Sequence, residues 1–501
     1  MLDSWSLNLL ALDALGATVL YRHGEQRKEF DDLSLELFAL PGDPKPVASL
    51  VVLSWPVTST SSDETFEKAK SWISHCTRKH QRCGGGIGDA MPSRVIDVSS
   101  AVNPDPDTVR LCENVSGRHP YICLSHCWGE SSIRKSYITT KASIEEKKRS
   151  ISIQQLPRTL QDTVTIVSNK SRNDYPLIGR GWVYQERLLS PRLLHYTKDE
   201  IFWECFETES CLCKVNNKDY EFLKEPLFTP VKVHSWNALY ENSAQLKDAM
   251  KTWHRVVNGF SYLDLTFQSD KRPALSGLTK LMSIRWKDEF LAGLRRQTLL
   301  EDLCWLVIHP KEKLAHYRAP SWSWAAVKGF VRYPDFIYSA GSRTQYAMVV
   351  EAKCQIKGTN PFGEVESGHI VLSCQLLRAQ LELQNIAVDL SDGEIQQSNM
   401  SKWFLYTTNS QGGRVRIWNF IKSVIHIDYC ILRHGYPSKV FCLPVLAGES
   451  REFWMILAEL DDRTFRRIGC FPESPSLRTA LIRDEAASFV NGGRVVNIKI
   501  I

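Results

Sequence analysis

Long apolar runs are missing from this chain. Nowhere in its 501 residues do about 18 uncharged apolar residues follow one another, so no membrane-spanning helix is expected. The opening MLDSWSLNLLALDALGATVLY has an apolar tint, yet Asp3 and Asp13 interrupt it and no basic residues begin it, which argues against a secretory signal. An excess of one charge is missing too. With 62 Lys and Arg against 56 Asp and Glu the net charge is +6, too mild at this length for a nucleic-acid footprint. The basic run Lys147-Lys148-Arg149 directly follows Glu145-Glu146 and reads as a solvated helix face. No repeat of solenoid or propeller period occurs. HExxH, GxSxG and a complete phosphate-loop motif are absent, which withdraws support from zincin, serine-hydrolase and P-loop chemistry. The cluster Gly84-Gly85-Gly86-Ile87-Gly88 follows a helical pattern rather than a strand and has no Lys-Ser/Thr after it, so it reads as a turn.

What is present is a chain long enough for roughly two to four packed units. Its 14 cysteines, without a secretory start, point to reduced thiols and a cytoplasmic setting rather than a disulfide framework. PGDPKP and TSTSSDE are loop-like and close an N-terminal segment, residues 1–65. In DETFEKAKSWISHCTRKH, the residues Phe66, Ala69, Trp72, Ile73 and Cys76 fall at helical spacing, so residues 66–117 are expected to hold a helix and a linker. YICLSHCW is short and almost continuously apolar, as a strand buried on both faces would be. LPRTLQDTVTIVSNK, with Pro157 in its first turn, predicts a helix. GWVYQERLLSP predicts another, with Trp182, Gln185, Glu186 and Leu189 on one stripe and Ser190-Pro191 as its end. RLLHYT and IFWEC predict a hairpin. Residues 216–325 are expected to be mainly helical, with AMKTWHRVVNGF and EDLCWLVI as examples, and residues 326–501 β-rich.

Four places could carry chemistry. In a strand, Cys123, Ser125 and Cys127 of YICLSHCWGE would share one face and Leu124, His126 and Trp128 the other, so no Ser-His or Cys-His pair follows from local geometry. Cys76-x3-His80-x2-Cys83 sets three zinc-type ligands on one helical edge, with Cys112 or His75 as a fourth. A second paired knuckle is missing, and spacing favours a half-buried helix end with ordinary thiols. Glu186 is a carboxylate on an apolar stripe, costly to bury unless paired or functional. From spacing alone a salt bridge to Arg180 or Arg192, or simple exposure at the stripe's edge, is favoured. Trp322 and Trp324 alternate in APSWSW, either as a partner-binding face or, the favoured reading, as a core pair.

Taken together, YICLSHCWG, LPRTLQD, GRGWVYQERLLSPRLLHY and IFWEC resemble the heterokaryon incompatibility (HET) domain family of filamentous fungi. SWISHCTRKHQRC and MPSRVIDV before them, and RPALSGL, APSWSWAAV and FRRIG after them, agree, so the resemblance covers most of the chain. It implies a role in programmed cell death when genetically different hyphae fuse, with self-association or another incompatibility protein as partner and neither nucleic acid nor membrane. HET domains are similar to TIR domains. The implied fold is therefore α/β, with a parallel-sheet core over residues 118–215 in which YICLSHCWGE is a strand and its following loop. WVYQE resembles the TIR helix whose glutamate serves NAD cleavage, and Glu186 falls on that glutamate. NAD would then be substrate, with no resident cofactor or metal. Trp182 would stack on a ring, and Ser125 and Trp128 would line the pocket mouth.

One departure matters. Where HET proteins carry a Trp-Ile-Asp strand, a Cys-Ile-x-Gln-Asp stretch and a further helix, only NKSRNDYPLI, Asn169 to Ile178, stands here. In TIR terms the sheet loses interior strands. An omitted exon, a degenerate regulator, or a partner subunit supplying the missing layer would each account for it.

Overall fold

The computed structural model describes residues 63–84, 91–98, 107–117, 138–156, 180–196, 201–211, 246–263, 265–339, 343–387, 399–408, 413–416, 425–429, 437–449, 451–461, 463–473 and 494–501, with the short pieces 18–20, 36–38, 121, 123–124 and 490. The chain divides into two compact units. One comprises Met1–Ile178 with Ser190–Val233, and the other Gly179–Leu189 with His234–Ile501.

In the amino-terminal unit, β1 (Thr18–Leu20) pairs with β2 (Glu36–Phe38). Helix α1 (Asp63–Lys79) forms as the periodicity predicts, with Thr65, Ala69 and Cys76 buried along one stripe, while Ile73 stays exposed. The four-residue α2 (Gln81–Gly84) follows at once. Strands β3 (Arg94–Asp97), β4 (Thr108–Glu113) and β5 (Ile151–Ser152) form an antiparallel sheet, with α3 (Ile144–Arg149) between the last two in sequence. Strands β6 (Arg192–Tyr196), β7 (Ile201–Cys205) and β8 (Glu209–Cys211) form a second. The expected hairpin is therefore present, and its linker is far too short for the crossover that a parallel pair needs.

The expected parallel TIR-like core is not seen among the described residues of 118–215, whose strand pairs are all antiparallel. Tyr121, Cys123 and Leu124 are exposed and outside any strand, contrary to the buried strand expected for YICLSHCW. Ser125, Trp128 and the LPRTLQDTVTIVSNK helix lie outside the described residues.

The second unit begins with α4 (Gly181–Leu189), leaves for the β6–β8 sheet, and resumes with α5 (Leu246–Ser261) and α6 (Ser276–Trp286). A hairpin of β9 (Phe290–Leu291) and β10 (Leu294–Arg295) turns through Ala292 and Gly293, both at positive φ (47° and 92°), the backbone sign a two-residue I′ turn requires. The Gly293 carbonyl accepts from the indoles of both Trp253 and Trp324 at 2.9 Å, and a Cβ at Gly293 would meet Trp324 Nε1 at 2.9 Å. Glycine is required there on both counts. EDLCWLVI divides, contrary to the helical reading, into a single turn, α7 (Leu299–Asp302), and strand β11 (Leu306–Ile308), which pairs with β12 (Phe330–Arg332).

The remainder is strand-rich, as expected. Strands β13 (Thr344–Gln345), β14 (Ala347–Ile356), β15 (Val365–Cys374), β16 (Leu377–Ala387), β17 (Asn399–Thr408), β18 (Arg414–Arg416), β19 (His426–Ile427), β20 (Lys439–Ala447), β21 (Glu452–Asp461), β22 (Thr464–Glu473) and β23 (Val496–Ile500) share one sheet in the order β14-β15-β23-β22-β21-β20-β16-β17-β18, with β13 on β20 and β19 on β22. Only β22–β23 is parallel among these pairs. The described architecture is mixed α/β dominated by this sheet. Trp322 and Trp324 are fully buried, the core pair that the sequence favours, but they sit in a turn entering a 3-10 segment rather than on a strand. Among the described residues no helix is long and apolar enough to cross a membrane.

Candidate functional site

Helix α4 carries two of the four residues singled out by the resemblance, Trp182 and Glu186, and its orientation is set by other residues of the helix. Gly181, Tyr184 and Leu188 are buried, at i, i+3 and i+7. A Cβ on Gly181 would meet Leu265 Cδ2 at 2.5 Å, so the helix can approach only with glycine there. Tyr184 lies over Gly259 of α5, where an added Cβ would meet its hydroxyl at 2.5 Å, and its ring packs on Phe260 with centroids 6.0 Å apart. Gln185 reaches the start of α6. Its Oε1 accepts from the amides of Gly277 (2.7 Å) and Leu278 (3.2 Å), two first-turn donors that no side chain of α6 itself caps.

This corrects the stripe read from sequence. The buried face runs through Gly181, Tyr184 and Leu188, roughly one residue's rotation from Trp182, Gln185, Glu186 and Leu189. Glu186 is exposed. Trp182 is 41% exposed, and its indole donates to Asp270 Oδ2 at 2.8 Å. A cavity of about 390 Å³ in the same unit is lined by Arg272, Lys287, Asp288, Cys354 and Phe362, among others, and takes in neither Trp182 nor Glu186. Ser125 and Trp128 cannot be placed beside them, because both lie outside the described residues.

A different cluster does assemble, in the amino-terminal unit. The buried edge of α1 delivers Cys76, the break after Lys79 delivers His80, and α2 delivers Cys83. The hairpin β7–β8 brings the fourth member, Cys205, from the end of IFWEC. The His80 imidazole Nδ1 lies 3.4 Å from Cys205 Sγ and 3.9 Å from Cys83 Sγ. One ligand atom from each of the four residues falls within 4.8 Å of every other. All three cysteines are 0% exposed and none is disulfide-bonded.

The surrounding backbone is shaped for this. Cys205 N donates to Thr208 O at 2.9 Å, closing a tight turn in which the Thr208 amide points back at Cys205 Sγ at 3.2 Å and the Thr208 hydroxyl lies 3.3 Å from the same sulfur. Glu207 in that turn accepts from the Arg82 amide at 2.6 Å, which ties the hairpin to the start of α2. Burial pushes the Cys83 thiol up to about 12 and raises Cys76. Burial acts upward on Cys205 too, but hydrogen bonds from Thr208 and Glu207 outweigh it and hold that thiol below its ordinary value.

The sequence spacing identified three of these four residues and missed the last. Cys112, one expected partner, lies half-buried on β4, and His75, the other, is exposed and meets His80 edge to face at 5.4 Å. The fourth position belongs to Cys205, 125 residues beyond His80. A cysteine closing a strand just before a tight turn was the available signal. No match to the chain is found among family models, curated proteins or solved structures.

Proposed function

We propose that this chain is a HET-type incompatibility protein acting in non-self recognition and programmed cell death, and that it does so as an interaction or regulatory module without cleaving NAD. The motif series YICLSHCWG, LPRTLQD, GRGWVYQERLLSPRLLHY and IFWEC supports the family. On this reading the phrases belong to a HET domain over residues 118–215, shortened at Asn169 to Ile178, and self-association or a second incompatibility protein supplies what the shortened layer lacks.

The non-catalytic half of the proposal rests on the face that α4 presents. Cleavage of a glycosidic bond to nicotinamide needs a carboxylate held against the ribose in a site that positions it and admits a water only to the reacting carbon. Here Gly181, Tyr184 and Gln185 are committed to packing, whereas Glu186 is exposed. A catalytic reading keeps one feature in its favour: Trp182 and Glu186 stand one helical turn apart, both exposed.

Expression of the full-length chain in a filamentous fungus, with growth arrest and cellular NAD followed together, tests both halves. Arrest with NAD unchanged, and equal arrest from Glu186→Ala, is the expected result. NAD loss that disappears with Glu186→Ala would replace the module by an enzyme. Absence of arrest from folded, full-length protein would remove the incompatibility role.

A further inference from the structure

We propose that Cys76, His80, Cys83 and Cys205 bind a zinc ion as a closed structural site. The inference stands apart from the incompatibility reading, since it uses only the geometry of the four side chains.

Zinc takes four N or S ligands tetrahedrally, with Zn–S about 2.3 Å and Zn–N about 2.0 Å. The edges of such a tetrahedron are roughly 3.5 to 3.8 Å long. The separations of His80 Nδ1 from Cys205 Sγ and Cys83 Sγ, 3.4 and 3.9 Å, bracket that range, and all pairs lie within 4.8 Å. Thiolate and imidazole donors select zinc over magnesium or calcium, which take oxygen.

Three further observations fit a metal better than ordinary core thiols. The Thr208 amide and hydroxyl both address Cys205 Sγ, as donors to a metal-bound thiolate would. Three thiolates and a neutral imidazole around Zn²⁺ leave a net charge of −1, and Arg192, the register partner of Cys205, brings a positive charge to the same strand pair. The spacing Cys76, His80, Cys83 puts three ligands on one edge of the α1–α2 segment, and Cys205 arrives from a hairpin far along the chain. A metal there fastens two elements that are otherwise separated by a long stretch of sequence.

The set is complete with four protein ligands and its cysteines are wholly buried, so no coordination position is left for water or substrate. The role is structural, and a nucleophilic Cys205–His80 pair is disfavoured by the same burial. Binding releases a proton from each thiol that is protonated beforehand and changes no oxidation state.

The test uses the full-length chain purified without chelator. Elemental analysis is expected to find about one zinc per chain, and Cys205→Ser to lose it. Cobalt(II) added to the zinc-stripped protein is expected to give the intense visible absorption of a tetrahedral thiolate complex. His80→Cys keeps four ligands and is expected to retain cobalt with that absorption shifted, a change that a purely packing role for His80 would not produce. Substoichiometric zinc together with no tetrahedral cobalt spectrum in the wild-type chain overturns the proposal. So does a Cys205→Ser protein that holds zinc as tightly as the parent. Should Cys205→Ser fail to fold, the cobalt spectra of the parent and of His80→Cys decide the matter.

Discussion

Arg467 grips Asp428 with two nitrogens in the interior of the C-terminal unit: Nε lies 3.0 Å from Oδ2 and Nη2 3.4 Å from Oδ1, and both side chains are all but fully buried. The same guanidinium donates to the carbonyls of Leu303 (2.7 Å) and Trp305 (2.5 Å) and stacks 3.3 Å from the centre of the Trp305 ring. The Arg467 amide donates to Ser321 Oγ at 3.0 Å. One residue of β22 thus joins, by side chain, the segment after α7 and the end of β19 and, by its amide, the segment before Trp322. Burial raises the Asp428 carboxyl and the guanidinium works against that rise.

Removing Arg467 leaves a buried carboxylate and the Leu303 carbonyl without that donor, and leaves the Trp305 carbonyl only the Cys470 thiol at 3.5 Å. Arg467→Ala is expected to cost about 3–5 kcal/mol, read from the urea midpoint of the full chain. Lysine cannot reproduce a planar donor set aimed at three acceptors, so Arg467→Lys is expected to be strongly destabilising too. Arg467→Met combined with Asp428→Leu should recover much of the loss, because both charges then leave together. A double variant as unstable as Arg467→Ala would show that the carbonyl contacts, rather than the ion pair, dominate.

The α4 contacts make an opposite pair of expectations for neighbouring residues. Gln185→Ala strips the first-turn amides of α6 of their acceptor and is expected to cost about 1–2 kcal/mol. Glu186→Ala, on the exposed side, is expected to stay within about 0.5 kcal/mol of the parent. Gly181→Ala pushes a methyl group to 2.5 Å from Leu265, and overpacking of that kind costs about 1–3 kcal/mol. Thermal or urea unfolding of the three variants side by side checks the order. A large loss from Glu186→Ala with little from Gln185→Ala would mean that the helix face is assigned wrongly.

These contrasts show which parts of the molecule hydropathy can reveal. Helices α1 and α5 and the β6–β7 hairpin were legible, because long amphipathic spacing and a short linker each leave few alternatives. The existence of α4 was legible as well, but its buried face was not: Gly181 carries no hydropathy signal, and its burial depends on Leu265 approaching from another segment. EDLCWLVI reads as helical because a single helical turn followed by a strand presents the same apolar run as a short helix. Trp322 and Trp324 alternate as strand residues do, yet their turn is fixed by partners distant in sequence: the Ser323 hydroxyl between them donates to the Ala292 carbonyl and the Trp324 indole to that of Gly293. Cys205 escaped for the same reason: a ligand contributed by a remote hairpin leaves no spacing rule to follow.

Acid sensitivity is expected at His426. Its Nδ1 lies 3.4 Å from the Val307 carbonyl, and His426 pairs in register with Cys470, whose thiol burial pushes up to about 12 and so keeps neutral. Burial depresses the His426 imidazole below its ordinary 6.5, with the Val307 carbonyl opposing the shift. The unfolded chain therefore takes up this proton before the folded chain does. Stability tied to neutral His426 is fully present above the unfolded value of 6.5 and is lost as pH falls through the lower folded value. His426→Gln is expected to flatten the fall in unfolding midpoint between about pH 7 and pH 5, relative to the parent measured in the same buffers. Parallel curves for the two proteins would assign the slope to other groups.

The shortened stretch Asn169 to Ile178 carries the last expectation. The phrases on either side of it, LPRTLQD and GRGWVYQE, resemble the HET family closely, whereas the stretch itself holds neither the Trp-Ile-Asp strand nor the Gln-Asp segment. A chain that had drifted as a whole would have lost its flanking phrases along with its middle. A clean gap between retained phrases is what an omitted exon leaves, so the transcript across the codons for Ser168 to Gly179 separates that account from the shortened domain proposed above. A longer message would restore the interior strands that a parallel TIR-like sheet needs, and the NAD assay of Glu186→Ala would then belong on that longer chain. On the proposed HET reading, a message matching the present sequence would mean a TIR-like sheet short of interior members, whose unpaired edges call for a partner strand. Co-purification of a second incompatibility protein, or a self-associated state in sedimentation, is then expected.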